Sequence, residues 1–305
     1  MVKKISIIGS GSVGSMLAFH ILSGLDIKDL VLVDISGSLA KGIALDLEDT
    51  RGFLKFNTHV LGTSNINHIE NSDIVVITCG IPRKEGMTRY DLFKTNSKIV
   101  IEVTRKIKRL APMSLIVVVT NPLDAITYVV NKHSGFGRFR IMGMGSSLDS
   151  SRFLNLIYSE TKISPYNIDA LVCGLHSKDM LPVTSCSNIK GNSLDAFLNQ
   201  GKIEKITQRV KERGKEIVSF LKNRSASFAP SLSCYKLIEA IVKDKNEIIP
   251  VSVLLQGEYG LRDVCLGVPC VISRKGIDRI VKLCLSVEEK GLLKKMKSKF
   301  LECIR

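Results

Sequence analysis

Apolar residues in this chain fall into short unbroken runs separated by stretches of helical period. Residues 4–8 (Lys-Ile-Ser-Ile-Ile) and 30–33 (Leu-Val-Leu-Val) read as strands, and between them Met16, Leu17, Ile21 and Leu22 recur at helical spacing. Residues 73–79, 114–119 and 138–142 repeat the strand pattern, with helical periods over 92–110 and 123–131. These strands are continuously apolar and β-branched rather than alternating. Such runs belong to strands buried on both faces, as in a parallel sheet covered by helices on each side. Near Gly143-Met144-Gly145 the pattern changes. A helix opens around 148, a strand-like stretch covers 169–174, and helices are expected over 203–221 and 233–242. Strands over 247–255 and 264–272 and a terminal helix complete the chain. The expectation is an α/β protein with a doubly wound parallel sheet over 1–144 and a mixed α+β domain over 145–305.

The first turn carries chemistry. Gly9, Ser10, Gly11, Ser12, Val13 and Gly14 form a GxGxxG loop between the first strand and its helix, and Asp34 ends the next strand. A turn glycine, a glycine that admits a pyrophosphate and a glycine for close helix packing, followed by a ribose-binding acid, make a dinucleotide fingerprint of the Rossmann type. The helix N-terminus presents free N–H groups to the phosphates. The Asp34 carboxylate suits two ribose hydroxyls and repels a 2′-phosphate, so NAD is expected rather than NADP.

Composition narrows the setting. The 45% hydrophobic and 24% charged content are those of a globular protein, and no apolar run approaches a membrane span. The apolar start stops at Gly9, too short for a secretion signal, and the eight cysteines lack any CxxC pair. A cytoplasmic protein with free buried thiols and no metal is expected. The net charge of +15 raises the possibility of nucleic-acid binding. However, the lysines are scattered and not interleaved with aromatics. The densest group, Lys290, Lys294, Lys295, Lys297 and Lys299, alternates with Leu292, Leu293, Met296, Phe300 and Ile304, as on an amphipathic helix with a solvated basic face. Neither nucleic acid nor membrane is therefore expected as a partner.

Between the strand at 73–79 and the helix at 92–110 lies Cys79-Gly-Ile-Pro-Arg-Lys-Glu-Gly-Met-Thr-Arg89, with backbone breakers and two arginines, Arg83 and Arg89. This reads as a hinged loop able to close over an anion. Asn121 ends another strand, and Asp149 and Arg152 share a helix face three residues apart. His176 follows a strand-like run.

Taken in order, Gly9–Gly14, Val33-Asp34, 81–89, Thr120-Asn-Pro-Leu-Asp124, Leu148-Asp-Ser-Ser-Arg152, Gly174-Leu-His176, 225–230 and 260–269 resemble the lactate/malate dehydrogenase family over essentially the whole chain. The likeness is greatest to its NAD-dependent malate branch in bacteria. The resemblance implies hydride transfer between NAD and a 2-hydroxy acid. It implies His176 as acid–base with Asp149 as its partner, Arg152 on the substrate carboxylate, Arg89 on the reacting carbonyl and Asn121 on the substrate. Asn96, Val119, Thr120 and Asn121 would line the cofactor, and a homo-oligomer, dimer or tetramer, is expected.

Arg83 addresses the choice of acid. Lactate enzymes of the family typically carry glutamine at the matching position. A second cation beneath a closed loop is left unpaired by lactate but is neutralised by the distal carboxylate of malate or oxaloacetate, a small dicarboxylic acid. Ala226 agrees, since similar lactate enzymes usually have threonine there. The expectation is malate dehydrogenase activity; a lactate or broader 2-hydroxyacid dehydrogenase is the alternative. Ser177-Lys178 departs from the family's Gly-Asp, and Glu85 stands where proline is common.

Overall fold

The computed structural model describes residues 2–82, 86–222 and 225–304. Its first half alternates β1 (Lys4–Ile8), α1 (Ser12–Gly24), β2 (Asp29–Val33), α2 (Gly37–Asp49), a short α3 (Arg51–Leu54) and β3 (His59–Thr63). It continues through β4 (Ile74–Ile77), α4 (Arg89–Leu110), β5 (Leu115–Val118), α5 (Leu123–Ser134) and β6 (Ile141–Gly143). The second half opens with α6 (Gly145–Thr161). Five two-residue strands follow: β7 (Ile168–Asp169), β8 (Val172–Cys173), β9 (Leu181–Pro182), β10 (Asn188–Ile189) and β11 (Asn192–Ser193). Then come α7 (Gln200–Leu221), α8 (Phe228–Val242), β12 (Glu247–Gln256), β13 (Arg262–Ser273), β14 (Gly276–Ile280) and α9 (Val287–Ile304).

The main sheet has nine strands in the order β14-β13-β12-β6-β5-β4-β1-β2-β3. β1 to β6 run parallel, with the order reversing between β1 and β4. Such a reversal opens a crevice beyond the carboxyl ends of the strands. Burial explains the unbroken apolar runs. Along β4, Ile74 and Val76 enter one core cluster while Val75 and Ile77 enter another. In β5, Leu115 and Val117 likewise oppose Ile116 and Val118. β4 and β5 thus alternate between two helix-covered faces, so neither has a polar position.

The long strands of the second half extend the parallel sheet: antiparallel β12 joins β6 through the single pair Ser252 and Gly143. Two features differ from the sequence expectation. The strand-like stretch 169–174 is two strands, since β7 pairs with β10 and β8 with β9, and the chain changes partner between them. On the terminal helix, Leu293, Met296 and Phe300 are buried as the pattern demands, but Leu292 is 48% exposed. Among the described residues no helix is long and apolar enough to cross a membrane.

Helix α8 packs on α1 and carries a concentrated ion group. The buried Glu239 carboxylate accepts hydrogen bonds from Lys236 (3.1 Å), Lys243 (2.8 Å) and Lys245 (2.7 Å). These bonds, Lys243's foremost, hold its pKa down at about 2. A carboxylate depressed on folding adds stability that is complete above its unfolded value and lost as pH falls through the folded value. Glu239→Gln is expected to lower unfolding free energy by about 1–2 kcal/mol at pH 7, the half-exposed lysines moderating the loss. Denaturant melts should show that deficit shrinking between pH 4.5 and about 2.

Candidate active site

The site gathers at the carboxyl ends of the parallel strands. At the end of β1 the chain turns sharply into α1. An added Cβ on Gly14 would stand 2.0 Å from the Gly9 carbonyl oxygen, so only glycine lets this helix sit so close to the turn. At Gly11 nothing lies within 4 Å of a Cβ position. The neighbouring Ser10 hydroxyl is buried with no hydrogen-bond partner among the described residues. Asp34, just beyond β2, accepts the main-chain N–H of Ser10 (2.7 Å) and of Ser36 (3.0 Å). An open approach, an orphaned hydroxyl and a carboxylate held beside the turn fit the phosphate and ribose groups of a dinucleotide. Ser12 and Val13 begin α1.

The ends of β4 and β5 are tied together. Asn96 on α4, only 1% exposed, accepts the Ile81 N–H (2.8 Å) and donates to the carbonyls of Ile81 (3.2 Å) and Asn121 (2.8 Å). Thr120 donates its hydroxyl to the Cys79 carbonyl at 2.7 Å, and the Val119 N–H bonds the Ile77 carbonyl. Asn96 therefore acts as a staple between the root of the hinged loop and the Asn121-Pro122 segment, where the peptide is cis. Asn121 is left exposed at the strand end. The loop's exit is fixed by a capping box, with Thr88 and Asp91 bonding each other's main chain at the start of α4. Arg89 is the first residue of that helix. Arg83 lies outside the described residues.

Helix α6 supplies a buried anion. Asp149 is fully buried; its Oδ2 meets His176 Nδ1 at 2.6 Å and its Oδ1 accepts from Arg152 Nη1 at 3.2 Å. His176 and Arg152, lone candidates 24 residues apart in sequence, thus share one carboxylate. Arg152 is partly buried, and its buried Nε has no partner among the described residues. The close passage of His176 over α6 requires Gly145, where a Cβ would fall 2.7 Å from the histidine's own Cβ. Burial alone would drag the His176 pKa down. Asp149, by charge and by hydrogen bond, outweighs it and holds the ring above the ordinary 6.5, with Arg152 opposing.

Sequence reasoning did not single out Asp124 or Ser252 as site residues. Asp124, on the first turn of α5 and 6% exposed, accepts the His176 main-chain N–H and the Ser252 hydroxyl, both at 2.7 Å. Only the run of Asn121-Pro122-Leu123-Asp124 drew notice to it; neither contact is local. A cleft of about 410 Å³ runs past His176, walled among others by Arg89, Leu123, Lys178, Lys299 and Phe300. The last two come from α9, a wall the sequence did not announce. The departure Ser177-Lys178 splits in two: Ser177 is buried, whereas Lys178 is exposed on the cleft's rim. A hollow at the opposite ends of the strands is walled by Lys3, Lys28 and Asp73. The Asp73 carboxylate there is occupied by the main-chain N–H groups of Lys3 and Lys4.

The chain is similar to known proteins along its whole length. Residues 3–143 match the family model of the lactate/malate dehydrogenase NAD binding domain, and residues 146–305 match that of the family's alpha/beta C-terminal domain. The chain is 43% identical to a malate dehydrogenase of Staphylococcus saprophyticus over 96% of this chain and 94% of the relative. It superposes on Cryptosporidium parvum malate dehydrogenase with a TM-score of 0.95 at 36% identity, covering 100% of this chain and 98% of the other. A lactate dehydrogenase of the same organism, solved with lactic acid and NAD, gives a TM-score of 0.94 at 31% identity, with 99% and 97% covered.

The shared carboxylate makes a prediction that needs no substrate. Asp149→Asn is expected to lower the His176 pKa toward or below 6.5, because the amide supplies neither charge nor an equal acceptor. An NMR titration of the ring in each protein checks this, and an unchanged midpoint would refute the assigned cause.

Proposed function

We propose that the chain, which belongs to the lactate/malate dehydrogenase family of NAD-dependent oxidoreductases acting on a CH–OH carbon, interconverts malate and oxaloacetate. The observation that carries the reading is the His176–Asp149–Arg152 cluster standing at the same strand ends as the glycine turn.

NAD fits the turn described above, held by residues 9–14 and Asp34, with Val119, Thr120 and Asn121 along its nicotinamide half and Asn96 securing that edge. When bound it supplies the hydride acceptor, or in its reduced form the donor. The protein's own residues do the rest. Asp149 occupies His176 Nδ1, so Nε2 is the nitrogen that exchanges a proton with substrate. In oxidation Nε2 takes the hydroxyl proton as the hydride leaves carbon 2. The resulting imidazolium rests against Asp149, the anion already beside it. Arg152 has unused guanidinium N–H groups for the substrate's carboxylate, where a planar fork gives bidentate contact. Arg89 faces the carbonyl oxygen, where negative charge grows in the transition state. In reduction His176 must begin protonated. Its raised pKa extends that direction's working range upward, and the rate falls as pH rises through the folded value.

Two domains meeting near residues 144 and 145 belong to this reading. A homo-oligomer belongs to it as well, supported by exposed apolar side chains on helices that both pack on α1, Leu39 and Leu45 of α2 and Leu232 of α8. Cysteine usage supports the reducing cytoplasm as its location.

The choice of a dicarboxylic acid rests on Arg83 and on the relatives' names, since a lactate dehydrogenase superposes almost as well. Steady-state NADH oxidation should favour oxaloacetate over pyruvate in kcat/KM by about 10²–10³, the cost of leaving a buried cation unpaired. Arg83→Gln should remove most of that preference. Equal turnover of pyruvate by the parent protein would replace the malate reading with a broader 2-hydroxyacid dehydrogenase.

A further inference from the structure

Acidic side chains in the first turn of a helix ordinarily serve that helix, capping its free N–H groups or meeting its dipole. Asp124 does otherwise. Its Oδ2 takes the main-chain N–H of His176, 52 residues further on, and its Oδ1 takes the hydroxyl of Ser252, 128 residues further on. Burying a carboxylate is costly, and an apolar residue of similar size would serve stability at least as well. Burial indeed pushes the Asp124 pKa up, against the pull of its two hydrogen bonds. Something other than stability is gained by keeping it.

The two groups it joins come from different parts of the fold. Ser252 is the β12 residue that pairs with Gly143 of β6, where the antiparallel strands meet the parallel ones. Three residues before Asp124, the Asn121 carbonyl is held by Asn96. The loop bearing His176 is fixed on its other side by Gly174, which exchanges two main-chain bonds of 2.8 Å with Gly267 of β13. Between that bridge and the next strand, Asp124 provides the side-chain acceptor for the His176 main-chain N–H.

We propose that Asp124 is a positioning residue. By gripping the His176 main chain while resting on Ser252, it sets where the acid–base ring stands relative to Asn121 and the bound substrate. Asp149 fixes the ring's rotation and Asp124 fixes the point from which the ring hangs. The proposal rests on the reading of His176 as the acid–base given above.

Three variants test it: Asp124→Ala, Asp124→Asn and Asp124→Glu. Each is assayed for kcat and KM with whichever 2-oxo acid the parent reduces fastest, for NADH affinity, and for thermal midpoint. Asparagine can accept from the His176 N–H and donate to the Ser252 hydroxyl, so its kcat should stay within about 10-fold of the parent. Alanine removes both bonds and should lower kcat by about 10²-fold while KM and NADH affinity change little, the signature of a displaced reacting group. Glutamate keeps the charge but moves the carboxylate by one methylene, and should fall below asparagine. The His176 amide proton, observed by NMR without substrate, should move upfield in Asp124→Ala and stay near its parent position in Asp124→Asn. An alanine variant with parental kcat overturns the proposal, and so does a glutamate variant more active than asparagine. If the alanine variant does not fold, the order of the other two decides. A parent protein that turns over no 2-oxo acid overturns the reading above and this proposal with it. Normal parental turnover beside an unaffected alanine variant overturns this proposal alone.

Discussion

A carboxylate with no exposed surface needs compensation on each of its oxygens, and at Asp149 the compensation is a histidine and an arginine. His176 binds one oxygen and Arg152 the other. Removing either partner would leave a buried charge half satisfied, which costs several kcal/mol. The same electrostatics that make the anion tolerable hold the imidazole in one tautomer, raise its pKa and hold the guanidinium close by. Packing enforces the arrangement. Gly145 lets the histidine lie against α6, and Gly214 of α7 passes near enough that a Cβ there would be 3.5 Å from Arg152 Nη1.

The sheet explains how residues so far apart in sequence meet. Parallel strands deliver their carboxyl ends to one edge, so the glycine turn, the root of the hinged loop and Asn121 arrive together as a consequence of winding. Antiparallel β12 then extends the sheet beyond β6 and brings Ser252 beside Asp124. The frame that places the dinucleotide turn and the frame that places His176 are thus one hydrogen-bonded sheet. That continuity matters for hydride transfer, because rates fall steeply when reacting atoms are displaced by about 1 Å.

How much of this could be read from residues alone follows from how local each signal is. The glycine turn and Asp34 were legible because a strand, three glycines and an acid at fixed spacing leave few alternatives. Asp149 and Arg152 were legible as a pair because three residues make one helix turn. Joining His176 to them needed the likeness to a family, since nothing in the spacing says that a loop 27 residues beyond Asp149 returns to α6. Helix α2 and strand β3 escaped because their patterns are thin. Of α2 only Ala40, Ala44 and Leu47 are buried, and edge strand β3 contains a histidine and a glycine. The grip of Asp124 on His176 and the seam between β6 and β12 were invisible for the same reason. Each is a contact between segments with no periodicity in common, decided only when the sheet closes.

Charge balance links the cluster to the proposed substrate. Asp124 and Asp149 bring two carboxylates to the region, and Arg152 and Arg89 answer them with two guanidinium groups. Protonated His176 then leaves room for one anionic carboxylate, which pyruvate and oxaloacetate both carry. On the proposed reading Arg83 adds one more cation, and the site becomes neutral only with a dianion present in the form ready for reduction. A monoanion would leave a net positive charge in a closed, poorly hydrated cleft, where unbalanced charge interacts far more strongly than in water. Discrimination of this kind does not require Arg83 to touch the reacting carbon. It requires only that closure of the loop remove water from a charge that one substrate neutralises and the other does not. Substrate choice and exclusion of water are then a single event, and the rigid cluster of His176, Asp149 and Arg152 can remain the same whichever acid is chosen.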